Sequence, residues 1–316
     1  MKINKLVLVA ILIIPMNFLF ALHDDAGTSA FNFLNVNYSA RAAAMGNSYT
    51  GLSDDSEALY YNPAGIVQIK RPSASVSFMQ YFEGFQGGAA SYAKRLNNKI
   101  ILGAFTQYMT NGDIDKTEVN NQNEYIGKTG TFGASDLVLG ISSAYEMNSI
   151  LTFGLTAKFI SESIDDNTAT AFLADFGVLH QTTNKKLKLG ISAKNFGTQL
   201  SYFTESKFKE SMPEVIAVGF CYRKSEKLKG LLDICYPLRN NAYGKLGAEY
   251  RIHPVLDLRV GYKTNASDWK TGGDYELFSG MSFGFGLNWD KYLFDYAVSS
   301  YGDLGFVNQL TIKYNF

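Results

Sequence analysis

Carboxylates, tyrosines and an Asn-Pro pair lie close together in the stretch SDDSEALYYNPAGI, residues 53–66. Two carboxylates can serve as general acid and base when both reach the same reacting atom. Asp54 and Asp55 are adjacent, however, and side chains that face each other on a helix lie three or four residues apart. The spacing therefore argues against a catalytic pair at these positions.

The other chemically versatile residues also lack the spacing of a reaction centre. The chain has 3 histidines, His23, His180 and His253, and no two of them have the spacing of a metal site. Gly284 and Gly286 lie in an alternating pattern rather than between a strand and a helix, so they do not indicate a nucleotide site. The sequence predicts a protein that is not an enzyme and has no metal site and no cofactor.

The same stretch has the local features of a short capped helix. Ser53 or Asp54 can cap the first turn, where backbone N–H groups need acceptors. The residue before a proline resists the helical region, so Asn62 and Pro63 would end the helix, and Gly65 can then adopt a positive φ. We expect one such helix here and another short helix in SARAAAMG, residues 39–46.

Composition narrows the class of protein. The chain has 316 residues with 29 basic and 29 acidic side chains, so its formal net charge is +0. A basic patch is the usual sign of nucleic-acid binding, and the balance of charge argues against such a partner. Aromatic residues make up 14% of the chain, which suits strands and interfacial aromatic belts.

The N-terminus has the pattern of a secretory signal peptide. Lys2 and Lys5 precede an apolar run over residues 6–14, and Ala21 is a plausible last residue before cleavage. A retained membrane anchor is the alternative, but a spanning helix needs about 20 apolar residues, and a proline and an asparagine interrupt this run. We expect residues 1–21 to be a cleaved signal peptide and the mature protein to be exported.

Period-two alternation runs through most of the mature chain. In VLDLRVGYK, for example, Leu256, Leu258 and Val260 alternate with Asp257 and Arg259. One apolar and one polar face also fit a soluble antiparallel sheet, but the segments approach the 9–11 residues of a tilted membrane strand. Alternation predicts about fourteen strands, at 73–82, 87–95, 99–109, 136–146, 150–161, 170–180, 186–195, 214–223, 228–236, 243–251, 255–263, 277–289, 291–300 and 306–316.

The connections between these strands alternate in length. The longest, 110–135, 196–213 and 264–276, all follow odd-numbered strands, whereas every connection after an even-numbered strand is short. Long loops on one rim and tight turns on the other are typical of bacterial outer-membrane barrels. The fold class is therefore all-β, a transmembrane antiparallel β-barrel over residues 73–316. Residues 22–72, which lack the alternation, lie outside its wall.

The two ends of the mature chain resemble a known family. Residues 27–66, GTSAFNFLNVNYSARAAAMGNSYTGLSDDSEALYYNPAGI, and residues 279–316, with the elements DYA and GDLG, resemble the PorV/PorQ family of FadL-like barrels. A weaker match joins NFG at 195–197 to MPE at 212–214. The resemblance implies a fourteen-stranded barrel in the bacterial outer membrane, with residues 22–72 folded into the lumen as a hatch.

The hatch would contain the candidate ligand and gating residues. Its aromatic side chains would line an apolar pocket, and the Asn-Pro-Ala-Gly turn would be either a moving element or a static plug. Arg41, Asp54 and Asp55 would either pair with inward charges, among them Lys245, Glu249, Arg251, Asp257 and Arg259, or stay solvated. The candidates are Phe31, Phe33, Arg41, Asp54, Asp55, Tyr60, Tyr61, Asn62, Pro63, Ala64 and Gly65.

The only cysteines, Cys221 and Cys235, lie on neighbouring predicted strands. Export makes a disulfide possible, but the tight turn at 224–227 would place the two sulfurs several residues out of register. We expect both cysteines to be free.

The resemblance leaves two functions open. The wider family passes hydrophobic molecules into or across the outer membrane, whereas its PorV branch collects secreted cargo proteins for a type IX secretion system. The first function predicts an apolar pocket beside the hatch, and the second predicts that the extracellular loops bind protein, above all 110–135. With either function, outer-membrane lipid surrounds the barrel and is a partner. A third function, that of a general porin, is less consistent with a hatch in the lumen.

Overall fold

The computed structural model describes residues 28–81, 84–203, 210–269, 272–273 and 275–316. The predicted signal peptide, residues 1–21, and the first residues of the predicted hatch, 22–27, lie outside these ranges. Fourteen antiparallel strands form one closed sheet, in which each strand pairs with its neighbours in sequence and β1 pairs with β14. Ser73 opposite Asn315 and Gln80 opposite Asn308 mark the ends of the closing pair.

The strand bounds agree with the alternation in the sequence except at the long-loop ends of the third, fourth, seventh and twelfth strands. The strands are β1 (Ser73–Gln80), β2 (Gln86–Arg95), β3 (Ile100–Val119), β4 (Tyr125–Asn148), β5 (Leu151–Ile164), β6 (Asn167–Gln181), β7 (Leu187–Ser201), β8 (Val215–Arg223), β9 (Leu228–Pro237), β10 (Tyr243–His253), β11 (Leu256–Lys263), β12 (Met281–Trp289), β13 (Tyr292–Ser300) and β14 (Phe306–Asn315). The predicted count of about fourteen is confirmed.

The prediction of a loop over 110–135 is wrong. β3 and β4 continue through it as a hairpin that closes at residues 120–124, with Ile114 opposite Phe132. A bulge at Thr110/Gly112 lies where this ribbon leaves the barrel. Polar and glycine residues without a continuous apolar face hid these strands, because cross-strand hydrogen bonds do not require burial of either face.

The barrel has two different rims. At the tight-turn rim, consecutive strands are joined by connections such as 149–150, 254–255 and 290–291. At the long-loop rim are the β3–β4 hairpin and the connections 202–214 and 264–280. Tight turns face the periplasm in bacterial outer-membrane barrels.

The two faces of the wall differ in polarity. On β11 the outward Leu258 and Val260 are 42% and 43% exposed, whereas the inward Asp257 and Arg259 are 3% and 6% exposed. Among the described residues, no helix is both long and apolar enough to cross a membrane. An apolar outer face with a polar lumen is typical of a barrel surrounded by lipid.

Short helices precede the barrel and interrupt its loops. They are the 3₁₀ helix η1 (Asn32–Asn35), the α-helix α1 (Ala40–Ala43), and the 3₁₀ helices η2 (Ser56–Tyr60), η3 (Pro63–Gln68), η4 (Thr264–Trp269), η5 (Glu276–Phe278) and η6 (Gly302–Leu304). We call residues 28–72 the N-terminal segment. It packs against inward faces of the wall on several sides, with η3 against β4, β5 and β6, and α1 against β12, β13 and β14.

The local prediction for residues 53–65 needs correction. Two 3₁₀ helices replace the single expected helix, and Asp55, rather than Ser53 or Asp54, caps the first by accepting from the Glu57 N–H at 3.1 Å. Asn62 caps the second through the Ala64 N–H at 3.1 Å. Gly65 is not in the left-handed region. Glycine is needed there because a Cβ would lie 2.2 Å from the Ser53 carbonyl oxygen.

Both cysteines are free and buried, as expected. Cys221 pairs with Leu231, and Cys235 pairs with Ala217. The two are therefore four positions out of register across the β8–β9 pair, beyond the reach of a disulfide.

Candidate functional site

Inward glycines hold the N-terminal segment against the wall. A Cβ at Gly190 would lie 2.0 Å from the Thr50 carbonyl oxygen, and a Cβ at Gly261 would lie 1.9 Å from the Gly46 nitrogen. These inward glycines form three cross-strand pairs, Gly154 with Gly177, Gly190 with Gly219 and Gly247 with Gly261. Because they have no side chains, the backbone of the segment can approach the backbone of the wall. We call Gly154, Gly177, Gly190, Gly219, Gly247 and Gly261 the glycine seat.

The Asn-Pro-Ala-Gly turn is part of this contact. Asn62 donates to the Thr50 and Val178 carbonyl oxygens at 3.0 and 3.1 Å. The Gly154 and Gly177 backbone leaves room for Pro63 and Ala64. All four residues of the turn are buried, so in this conformation the turn is a packing element between the segment and strands β5 and β6.

Asp233 anchors the middle of the segment. Its carboxylate accepts hydrogen bonds from the Ser48 hydroxyl and from the Tyr49 and Thr50 N–H groups, at 2.9–3.1 Å. This anchor was not among the candidates. Its only sequence signal is an acidic residue at inward parity in an otherwise apolar strand, LLDICY.

Arg41 joins the segment to the wall through ion pairs. Its guanidinium lies 2.7 Å from Asp54, 3.1 Å from Asp55 and 2.9 Å from Glu249 on β10. Of the two possibilities left by the sequence, paired or solvated, the structure has the paired one. The Arg41 side chain is only 11% exposed, so it needs these partners.

Further ion pairs extend this contact across five strands, β9, β10, β11, β13 and β14. Arg259 lies 2.9 Å from Glu249 and 2.6 Å from Asp295. Lys313 lies 2.6 Å from Asp55 and 2.8 Å from Glu57. We call this group the ion cluster: Arg41, Asp54, Asp55, Glu57, Lys229, Glu249, Arg259, Asp295 and Lys313.

The expected partners were only partly right. Glu249 and Arg259 belong to the ion cluster, but Arg251 pairs with Asp257 at 2.7 Å, and Lys245 points into a different region. Lys229, Asp295 and Lys313 were missed, although all three occupy the inward parity of their strands. Parity alone does not say which inward charges meet the segment, because that depends on where the segment lies along the barrel axis.

Two carboxylates of the segment respond differently to burial. Burial by itself would raise the pKa of Asp54, but Arg41 and Lys229 hold this pKa well below its usual range. Burial raises the pKa of Glu57 above its usual value, and the attraction of Lys313 offsets only part of that effect. The neighbours of Asp54 therefore favour its ionisation, whereas burial makes ionisation of Glu57 less favourable than in water.

The candidate aromatic residues mainly pack the segment. Tyr60 meets Phe105 of β3 edge-on, with ring centroids 5.3 Å apart. Tyr61 donates to Asn47 at 2.8 Å, and Phe31 is buried. Phe33 is partly buried against the same apolar cluster. Tyr60 borders a cavity of only 20 Å³, so this group forms an apolar contact rather than a large apolar pocket.

A cavity of 430 Å³ opens towards the long-loop rim. Lys245 and Lys263 are opposite each other on β10 and β11 and both border it. Their ammonium groups lie 5.6–5.8 Å from the ring centroids of Tyr243, Trp269 and Tyr301. Within the described part of the chain, neither lysine forms an ion pair with a carboxylate. We call this space the outer cavity.

A second cavity, of 570 Å³, lies at the tight-turn rim. Residues of the ion cluster, including Arg41, Asp54 and Asp55, border it together with Lys70 and Arg71. We call it the inner cavity.

The glycine seat separates the two cavities. Along β10, Lys245 borders the outer cavity, Gly247 belongs to the seat and Glu249 belongs to the ion cluster. Along β11 the same order is Lys263, Gly261 and Arg259. The segment therefore occupies the barrel between an outer and an inner space. In the described residues no group of histidines, cysteines and carboxylates could hold a metal ion.

Solved structures share this architecture. The Pseudomonas putida toluene transporter TodX is 14% identical, with a TM-score of 0.61 over 88% of this chain and 96% of TodX. The monoaromatic hydrocarbon channel CymD is 13% identical, with a TM-score of 0.64 over 91% of this chain and 99% of CymD. At these identities the similarity defines a class by fold, the closed fourteen-stranded barrels to which these channels belong. No protein-family model matches the chain, and no curated protein matches it in sequence.

Proposed function

We propose that this protein is an outer-membrane channel that admits small hydrophobic or amphipathic molecules, with the N-terminal segment as its hatch. One observation carries the proposal: the barrel has the fold of TodX and CymD, and its segment lies between an outer and an inner cavity. The apolar outer face and the alternating rims support placement in the outer membrane. The pattern of residues 1–21 supports export by a signal peptide.

The outer cavity supports a more specific substrate class. Two like charges directly opposite each other repel, as Lys245 and Lys263 do. Lys245 also has Asp233 directly opposite on β9, whereas the close neighbours of Lys263 are the rings of Trp269 and Tyr301. A ligand with an anionic group would relieve this repulsion, and its apolar part would contact Tyr243, Trp269 and Tyr301. We therefore expect amphipathic acids to bind better than neutral hydrocarbons of the same size.

Passage would require the hatch to change shape. The seat leaves no room for a ligand beside the segment at the level of Gly247 and Gly261. The ion cluster holds Arg41 on the wall one step nearer the tight-turn rim, at Glu249. Opening would therefore break the Arg41 ion pairs or displace the Asn-Pro-Ala-Gly turn.

Uptake by proteoliposomes tests this function. Vesicles containing the purified barrel would take up a radiolabelled medium-chain carboxylate faster than empty vesicles, and faster than they take up the matched alkane alcohol. The K245M/K263M variant would lose most of the preference for the acid, whereas K116M/K128M, on the outer hairpin, would keep it. Equal uptake with and without the protein would refute the channel.

A second function has one specific observation in its favour. In the described residues, positions 113–119 of β3 and 125–131 of β4 pair only with each other, so both outer edges of the hairpin are open. Open strand edges can pair with a strand of another protein. Together with the PorV/PorQ resemblance, this supports a barrel that binds secreted cargo.

Deletion of the hairpin distinguishes the two functions. A barrel in which residues 113–131 are replaced by a short turn would keep solute uptake if it is a channel. It would lose stoichiometric protein partners, measured by native mass spectrometry after purification from the outer membrane, if it binds cargo.

A further inference from the structure

The barrel is electrically polarised although its formal net charge is +0. Exposed cations are concentrated at the tight-turn rim, in four of its connections and in the residues before β1. We call Arg71, Lys99, Lys186, Lys224 and Lys291 the basic ring. Carboxylates predominate at the long-loop rim, where Asp113, Glu118, Glu124, Asp166, Glu210 and Glu276 are exposed or half-exposed.

The basic ring is available for an external anion. Within the described part of the chain, none of its five cations forms an ion pair with a carboxylate. Glu146 at this rim pairs with Arg95 at 3.2 Å. Glu226 and Asp290 are exposed in the same connections as Lys224 and Lys291, but among the described residues neither forms an ion pair with the ring. The ring therefore presents positive charge to whatever surrounds this end of the barrel.

Contacts of Lys99 and Lys291 show that the basic ring lies at the same height along the barrel axis as a group of outward aromatic residues. The Lys99 ammonium lies 5.9 Å from the ring centroid of Tyr145, and the Lys291 ammonium lies 5.8 Å from that of Tyr314. Tyr145 points outward and is 44% exposed. It belongs to a belt of outward aromatics at this rim that includes Tyr92, Tyr292 and Phe316. Such belts lie at the level of lipid headgroups.

We propose that the basic ring binds the phosphates of anionic phospholipids in the periplasmic leaflet and selects such lipids around the barrel. Charge complementarity and continuity with the aromatic belt support a lipid. So does the distribution of the cations, because they surround the mouth, whereas a protein partner needs one compact patch. Clustered lysines and arginines at a membrane surface are attracted to acidic lipids.

Spin-labelled lipids provide the test. The folded barrel is reconstituted in phosphatidylcholine, and the motionally restricted fraction is measured for labelled phosphatidylglycerol and for labelled phosphatidylcholine. The expected preference for phosphatidylglycerol is roughly two- to fivefold, and it should shrink in 1 M salt, where the screening length is about 3 Å. An equal restricted fraction for the two lipids would overturn the proposal.

Matched variants separate charge from fold. R71Q/K99Q/K186Q/K224Q/K291Q should lower the lipid ratio strongly towards one, since it removes the ring's charge and leaves Lys70, Lys185 and Lys227 exposed beside it. The variant with the four lysines changed to arginine keeps the charge and should keep the preference. Both must retain the folded electrophoretic mobility of the wild type, so that loss of lipid selectivity is not loss of the barrel.

Two further outcomes would contradict the proposal. A preference for phosphatidylglycerol that is undiminished in the glutamine variant would assign this preference to another part of the barrel. Loss of an acidic protein partner in that variant, with no lipid preference in the wild type, would assign the ring to protein binding. The measurement needs no transport activity, so its failure and failure of the proposed channel are distinguishable.

Discussion

Arg41 is the cation of the N-terminal segment that forms ion pairs with the wall, while Lys313 of the wall pairs with Asp55 and Glu57 of the segment. Its replacement in R41M would leave Asp54, Asp55 and Glu249 without their shared cation. Each of these carboxylates keeps a second cation, Lys229, Arg259 or Lys313, so the cost should fall below the about 3–5 kcal/mol of leaving a buried charge unpaired. We expect R41M to lower the temperature at which the barrel loses its folded mobility in detergent gels, and to raise its ion conductance in planar bilayers.

An exposed ion pair offers the control for that substitution. Lys116 and Asp165 lie 3.0 Å apart, with side chains 54% and 39% exposed. Solvent screens an exposed pair, so such a pair contributes little to stability, and K116M should leave both measurements unchanged. Equal effects of R41M and K116M would show that the ion cluster does not hold the segment.

Glu57 predicts a pH dependence of stability with a definite sign. Its pKa is raised in the folded protein, so the folded state binds the proton more tightly than the unfolded state. Its contribution is fully present below the unfolded pKa and is lost as pH rises through the folded pKa. The free energy of unfolding of E57Q, relative to wild type, should therefore increase from acidic to neutral pH.

Asp54 supplies the opposite sign and thus an internal control. Its pKa is held below the usual range, so its contribution is present above the unfolded pKa and is lost as pH falls. D54N should be most destabilising at neutral pH and least in acid. The free energy of unfolding of each variant is measured by denaturant titration at several pH values. If its difference from wild type changes with pH in the same direction for E57Q and D54N, the opposite pKa shifts of the two carboxylates are contradicted.

At the scale of elements, the glycine seat decides whether the segment fits. G190A or G261A would place a methyl group about where the Thr50 oxygen or the Gly46 nitrogen now lies. Overpacking of this kind costs about 1–3 kcal/mol. We expect the barrel to remain folded while the segment becomes more accessible to protease and the conductance rises.

Gly230 is the matched control for the seat. A Cβ there would have no atom within 4 Å, so G230A should behave as wild type in both measurements. If G190A also leaves conductance and proteolysis unchanged, the segment is not seated by backbone contact.

The hairpin shows the limit of pattern analysis at this scale. Alternation predicted most strand bounds within a few residues, since an apolar outer face must recur at every second position. It failed for residues 110–135, which form strands without an apolar face. It also merged η2 and η3 into one helix, because it did not recognise Asp55 and Asn62 as separate caps.

For the whole molecule, the closed sheet predicts that the wall is stable without its contents. β1 pairs with β14 over eight residues, so closure does not depend on the N-terminal segment. Deletion of residues 28–69, with residues 1–27 kept, should leave a barrel with folded mobility. Its conductance should be much larger than that of wild type, because the segment occupies the space between the two cavities.

The conductance of the barrel that lacks residues 28–69 decides whether the N-terminal segment closes the lumen. A folded but still closed barrel would show that the loops, rather than the segment, block the lumen. An unfolded product would show that the inward charges need the segment as their partner, as buried charges do when one side is removed.

The sequence by itself determined the class of fold, because period-two alternation and the order of turn lengths are local consequences of a wall with lipid on one side and a polar lumen on the other. It also indicated which residues of the segment are polar, apolar or turn-forming. Only the tertiary structure decided which groups meet. Arg41 and Glu249 are 208 residues apart, and their contact depends on how deep the segment lies in the barrel. That depth is determined by glycines on six strands acting together, and no local pattern in the chain reports it.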